Sequence, residues 1–133
     1  MRQPLQIPSR FERTFAVYVS GFVTPVPTAN KEVYEAHARK AWPMFKEYGA
    51  LEMMEAWGAN VPDGERTDFK RSVSLKDDET AVFSWIIWPD RKTADACVEA
   101  METDERWSEM MDMPFDGKRM IYGDFEPIMH EKA

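Results

Sequence analysis

Read along the chain, runs of β-branched and aromatic residues alternate with runs of helical period in the order β-α-β-β-α-β. That order predicts an α+β domain of the ferredoxin-like kind, a four-stranded antiparallel sheet with two main helices on one face. Two further observations support it. The chain has 133 residues, which is one domain at roughly 100–200 residues per domain. Its 44% hydrophobic and 13% aromatic content supplies a core of that size and excludes a disordered chain.

Residues 1–14 carry Arg2, Pro4, Pro8, Arg10 and Arg13 without either period. They are expected to form a loose arm, with one domain occupying 15–133. Phe15 to Val23 reads as the first strand, closed by Pro25 and Pro27. Asn30 is placed to cap a helix running to about Tyr48, with Glu32 in its first turn and Gly49 at its C-terminal cap. At about 100° per residue, Val33, Ala36, His37, Ala41, Met44, Phe45 and Tyr48 gather on one side of this helix. Glu32, Glu35, Arg39 and Lys46 gather on the other, and Pro43 is expected to kink or split the helix near Trp42. Ala50 to Trp57 and Thr80 to Trp88 read as the second and third strands. Asp90 caps a second helix, whose Ala94, Cys97, Val98 and Met101 fall at i, i+3, i+4 and i+7. Thr103 is placed to cap a short helical turn presenting Trp107, Met110 and Met111. A turn at Asp116-Gly117 then leads into a last strand, about Lys118 to Ile128. Residues 62–79 are long for a hairpin, and Phe69, Val73 and Leu75 within them alternate like a strand. This segment is expected to project as an arm or lengthened hairpin.

Charge narrows the partners. With 17 Lys+Arg against 24 Asp+Glu the net charge is −7, which argues against nucleic acid or an anionic membrane as the main partner. The aromatic-and-basic strand signature of RNA-binding sheets is also missing. One cysteine excludes an intrachain disulfide, and with two histidines it leaves too few ligands for a structural zinc site. No metal is therefore expected. Gly58 and Gly64 are isolated turn residues rather than a phosphate-binding loop, so no cofactor is implied. No apolar run nears the ~18 residues of a spanning helix, and the first residues lack a signal peptide's apolar stretch. The expectation is a reduced, cytoplasmic protein.

The sheet itself implies a partner. Phe15, Val17, Val19 and Val23 lie on one face of the first strand, and Ala16, Tyr18 and Phe22 on the other. In the third, Val82, Ile86 and Trp88 oppose Ala81, Phe83, Trp85 and Ile87. Two helices cover one face only, so the other would expose more apolar area than a monomer tolerates. Sheet-to-sheet pairing of two copies, as in a dimeric α/β barrel, resolves this with a self-complementary two-fold interface.

His37 is the first candidate for chemistry. It lies about 40° from Val33 on the apolar face, so its imidazole is expected to point at the sheet as a general base, or to be a neutral core histidine. Glu52 and Glu55 lie on opposite faces of the second strand, so one of them faces a packed layer unless that strand is an exposed edge. Asp116, Lys118 and Arg119 form a charged turn, either a bidentate anion clamp or a turn bonded to its own backbone. Tyr18, Ser84, Trp85 and Tyr122 bring polar atoms into apolar strands, where they orient a small ligand or bond internally. Glu55 and Arg119 join these four as ligand-binding candidates. Cys97 has no basic neighbour in its stripe and reads as packing.

Several segments together resemble one family: Gly21-Phe22-Val23 with Pro25-Val26-Pro27, Tyr48-Gly49-Ala50-Leu51-Glu52, Val61-Pro62-Asp63-Gly64 and Val82-Phe83-Ser84-Trp85-Ile86. The most specific is the run Met113-Pro114-Phe115-Asp116-Gly117-Lys118-Arg119-Met120-Ile121-Tyr122-Gly123. Over about residues 15–127 the chain resembles the YbaA-like domain-of-unknown-function family 1428. The resemblance implies a ferredoxin-like chain of the dimeric α/β-barrel superfamily and supplies no activity. Three readings follow. The chain is a homodimeric enzyme with cofactor-free proton-transfer or oxygenase chemistry in a small-molecule cleft between sheet and helices, or a ligand-binding regulator using the same cleft. Otherwise it is an interaction module whose 62–79 arm embraces a partner.

Overall fold

The computed structural model describes residues 17–133, so the expectations for residues 1–14 and for Phe15 and Ala16 lie outside the described residues. Strand β1 spans Tyr18–Pro27, helix α1 Lys31–Glu47, β2 Glu52–Trp57, the one-turn helix α2 Phe69–Ser72, β3 Glu79–Trp88, helix α3 Arg91–Thr103 and β4 Ile121–Phe125. Short 3-10 turns cover Thr28–Asn30 and Glu105–Met111. The four strands form one antiparallel sheet in the order β2-β3-β1-β4, the ferredoxin-like α+β arrangement.

Register assigns the two faces. Tyr18, Phe22 and Thr24 pair with Trp88, Ser84 and Val82, and these side chains face the helices. Val19, Gly21 and Val23 pair with Ile87, Trp85 and Phe83 and face away. One core cluster lies under the helices around Trp88, Cys97 and Trp107, and a smaller one around Val26, Tyr34 and Val82.

Local signals hold where they are short-range. Asp90 Oδ1 accepts the N–H of Thr93 at 2.7 Å and starts α3, and Gly49 takes φ +105° after α1. Asp116 Oδ1 accepts the N–H of Lys118, closing the expected turn. Helix α1 is single and continues through Pro43, in keeping with the one helix expected to about Tyr48.

Other expectations are corrected. β1 continues past Val23 and through Pro25, and ends at Pro27. β4 pairs only with Val19 to Val23, so beyond Val23 one flank of β1 has no strand, and a proline is tolerated where its missing N–H would face such a flank. Asn30 makes no side-chain cap. Its Nδ2 instead donates to the Pro114 carbonyl at 3.1 Å. The buried face of α1 is turned away from Val33 (57% exposed) and toward Tyr34 (8%), because the small Ala36 and Ala38 leave the apolar direction weakly specified. Val98 is exposed, leaving Ala94, Cys97 and Met101 as the inner stripe of α3. Asp104, not Thr103, caps the turn that buries Trp107 and Met110. Met111 is exposed, and β4 is shorter than expected, with Ile128 exposed beyond it.

Residues 58–78 form neither a strand nor a projecting arm. Phe69 and Val73 are spaced i, i+4 on the turn of α2, which Asp68 caps by accepting the Arg71 N–H. Val73 is buried, and the Phe69 ring meets Phe83 edge-on at 5.8 Å between centroids. The segment is folded back onto the sheet.

Candidate functional site

The register of β2 decides which glutamate looks inward. Glu52 pairs with Ile87 on the outer face, and Glu55 pairs with Ser84 on the helix-facing side. β2 is an edge strand, and α1 crosses beside it without closing the gap. The result is an open cleft of about 760 Å³ whose walls include Tyr34 and Trp42 from α1 and Met53, Glu55 and Trp57 from β2.

Glu55 is the polar centre of this cleft. Its Oε1 accepts the Tyr34 hydroxyl at 2.6 Å and the Ser84 hydroxyl at 2.6 Å. The two hydroxyls together hold the carboxyl group in place. Oε2 takes no hydrogen bond from any described residue, which leaves one oxygen free for a molecule in the cleft. Burial, reinforced by the adjacent Glu55 charge, pushes the Tyr34 phenol well above its ordinary value, so it stays a donor. Phe115 packs edge-on against Tyr34 at 5.8 Å and holds the ring. Lys31 stands at the mouth with its Nζ 5.4 Å from the centroid of Trp57.

The remaining candidates are placed elsewhere. His37 does not reach the cleft: its Nε2 lies 2.9 Å from the Met110 carbonyl, tying α1 to the 105–111 turn. Tyr18 donates to Asp124 Oδ2 at 3.2 Å, within a chain where Trp88 donates to Ser20 and Ser20 to Asp124. That network lies four residues along β1 from the Phe22–Ser84 pair. Trp85 is on the outer face, where its indole N–H donates to Glu52 at 2.9 Å. Tyr122 stands beside Phe22 on the β4 edge, 74% exposed.

Arg119 is already engaged by two carboxylates of its own chain. It donates to both oxygens of Glu79, to Asp116 and to the carbonyls of Val73 and Ser74. Of the two readings of this turn, the one bonded within the chain is seen, and Arg119 fastens 73–79 to the 114–119 turn. Through Phe115 and Pro114 the same turn also holds Tyr34 and Asn30. Of the sequence candidates, Glu55 and Ser84 come together. Tyr34 and Trp57 were missed, although Tyr34, Ala38, Ala41, Phe45 and Tyr48 follow an i, i+4, i+7, i+11, i+14 pattern that marks the true buried face.

On the far side of the sheet, Val19, Phe83, Trp85, Ile87, Ile121 and Phe125 line a shallow apolar groove. Gly21 and Gly123 are opposite in register there, and the Phe125 ring lies over this bare strip. Among the described residues no three histidine, cysteine or carboxylate side chains converge as a metal site. No helix among them is long and apolar enough to cross a membrane.

Residues 17–117 match the model of a protein family described as protein of unknown function (DUF1428). The chain is 50% identical over 115 residues to the uncharacterized protein YbaA of Escherichia coli K12, covering 86% of this chain and 98% of that protein. YbaA of Shigella flexneri matches to the same extent. Among solved structures, a dimeric ferredoxin-like protein from an uncultured marine organism superposes with TM-score 0.55 at 12% identity, covering 86% of this chain and 98% of that one. A monooxygenase from the ActVA-Orf6 gene of Streptomyces coelicolor, crystallised with nanaomycin D, gives TM-score 0.54 at 15% identity, covering 89% and 93%. At these identities the two structures share the fold.

Proposed function

The chain belongs to the DUF1428 family, and from that premise we propose that it is a cytoplasmic homodimer holding a small organic molecule in the α1–β2 cleft. Glu55 is the anchoring residue. The observation that carries this reading is the asymmetry of its carboxylate: two hydroxyls converge on Oε1 while Oε2 faces the cleft unshared.

The same geometry supports proton transfer. A ligand O–H or C–H bond would break toward Oε2, its electron pair staying on the ligand, while Tyr34 and Ser84 hold the carboxyl group in place. The oxygenase reading draws only on the fold shared with the Streptomyces monooxygenase.

Dimerisation follows from the outer face. Phe83, Ile121 and Phe125 are 45%, 44% and 61% exposed there, three large apolar side chains side by side on one face of the sheet. A second copy is the fitting occupant, because the same apolar strip on both partners is self-complementary about a two-fold axis. The dimeric marine relative by fold supports it. The domain is taken as 15–133, with 1–14 dispensable.

Native mass spectrometry of protein purified from its own cells tests both parts. The expected result is a dimer mass with a retained small molecule that Glu55→Gln releases. A monomer mass at micromolar concentration overturns the dimer. A ligand held equally by Glu55→Gln overturns the site.

A further inference from the structure

We infer that the cleft recognises an organic cation, an amine whose ammonium group bridges Glu55 Oε2 and the face of Trp57; the inference rests on the cleft reading above. Glu55 and Trp57 are two residues apart on the helix-facing side of β2, so carboxylate and indole are neighbours on one wall.

Every charged group around the cleft bears on this. From α1 come Lys31, Glu35 and Arg39, and from β2 Glu52 and Glu55. Arg39 and Glu35 neutralise each other at 2.7 Å. Glu52 accepts the Trp85 indole N–H on the outer face. Lys31 rests on Trp57 and makes no salt bridge among the described residues. Glu55 is then the one cleft carboxylate with neither a cation nor an outer-face partner, and an anion or a second carboxylate would be repelled by it. A neutral hydroxyl would satisfy Oε2 but would gain nothing from the ring. An ammonium gains from both, through a charge-assisted hydrogen bond and a cation–π contact.

Lys31 shows that the ring already attracts an ammonium. Its position over Trp57 is that of a tethered occupant at the mouth, to be displaced by a ligand that also reaches Glu55. Trp42 on the opposite wall offers a second aromatic surface for an aromatic or aliphatic body.

The test uses three benzyl probes of similar size and different charge, benzylamine, benzyl alcohol and phenylacetate. Each is titrated into the full chain while the Trp57 indole N–H is followed by NMR, assigned with Trp57→Phe. Benzylamine is expected to shift that resonance at concentrations where phenylacetate does not. Glu55→Gln, which keeps an acceptor for Tyr34 and Ser84, should weaken benzylamine at least about tenfold, as expected for losing one charge-assisted contact. Lys31→Gln, on the exposed rim, should strengthen it by removing the tethered competitor. Benzyl alcohol binding as tightly as benzylamine, or benzylamine losing affinity in Lys31→Gln, overturns the cation inference while leaving the cleft reading in place. If no probe moves the cleft resonances and no ligand is retained in native mass spectrometry, both readings fall.

Discussion

Tyr34→Phe removes a single oxygen atom, the one that donates to Glu55 at 2.6 Å. The ring, 8% exposed, keeps its place and its edge contact with Phe115, so no cavity opens. What is lost is a hydrogen bond to a charged acceptor, worth about 1.5–3 kcal/mol. Ser84 still donates to the same oxygen, so the cost falls at the lower end, about 1.5 kcal/mol. In a domain of this size that lowers the melting temperature by roughly 5–8 °C. Ser84→Ala should cost a similar amount. The double variant should cost more than the two singles together, by about 0.5 kcal/mol or more, since only then does Oε1 lose every donor. Urea unfolding followed by tryptophan fluorescence, with the slope against denaturant unchanged, measures all four corners of the cycle. A pH series adds a second readout. The Tyr34 phenol is raised above 10.0 by burial and by Glu55, so its contribution is complete below pH 10.0. It is lost as pH climbs above that value, where the unfolded chain ionises first. Tyr18 and Tyr48 are raised as well, so Tyr34→Phe should flatten this alkaline slope rather than abolish it. Single costs under about 0.5 kcal/mol that simply add would show that water, not these hydroxyls, satisfies Glu55, and the anchored carboxylate would be refuted.

His37→Gln should cost about 1 kcal/mol in a thermal melt, the value of one neutral hydrogen bond to the Met110 carbonyl, and should leave benzylamine binding unchanged. Arg119→Met should lower the melting temperature more than His37→Gln does, because Glu79 (side chain 5% exposed) then loses its partner. Arg119 holds the Glu79 and Asp116 carboxyls below their ordinary values of 4.5 and 3.8. Their stabilisation is therefore present above those values and lost as pH falls below them, so the variant should show a shallower acid limb between about pH 5 and pH 3. Burial pushes the Cys97 thiol up to about 11. Iodoacetamide at pH 8 should thus label Cys97 only as fast as the protein unfolds, and rapid labelling of the native protein would contradict its place in the core.

The order of elements, the Asp90 cap and the Gly49 and Asp116-Gly117 turns were legible in the sequence because each depends on a few adjacent residues. Asp90 meets an N–H three residues on, Gly49 needs only its own φ, and the Asp116-Gly117 turn closes on Lys118. The strands that are apolar on both faces were likewise legible from alternation alone. The site was another matter. Placing Glu55 inward was possible only as one of two alternatives, since alternation separates Glu52 from Glu55 without saying which faces the helices. The choice came from the register of β2 on β3 and from Tyr34, 21 residues back, and Ser84, 29 residues on. Tyr34 escaped notice because its hydroxyl reads as polar until a buried acceptor is known. For Arg119 a clamp stayed open beside a self-bonded turn because its Glu79 partner is 40 residues away. The 62–79 segment looked like an alternating strand until its Phe69 and Val73 were seen on one helical turn against the sheet. Such pairings have no sequence period, because they are selected by which surfaces the folded sheet and helices bring within hydrogen-bond reach, and that is settled only when the whole chain has packed.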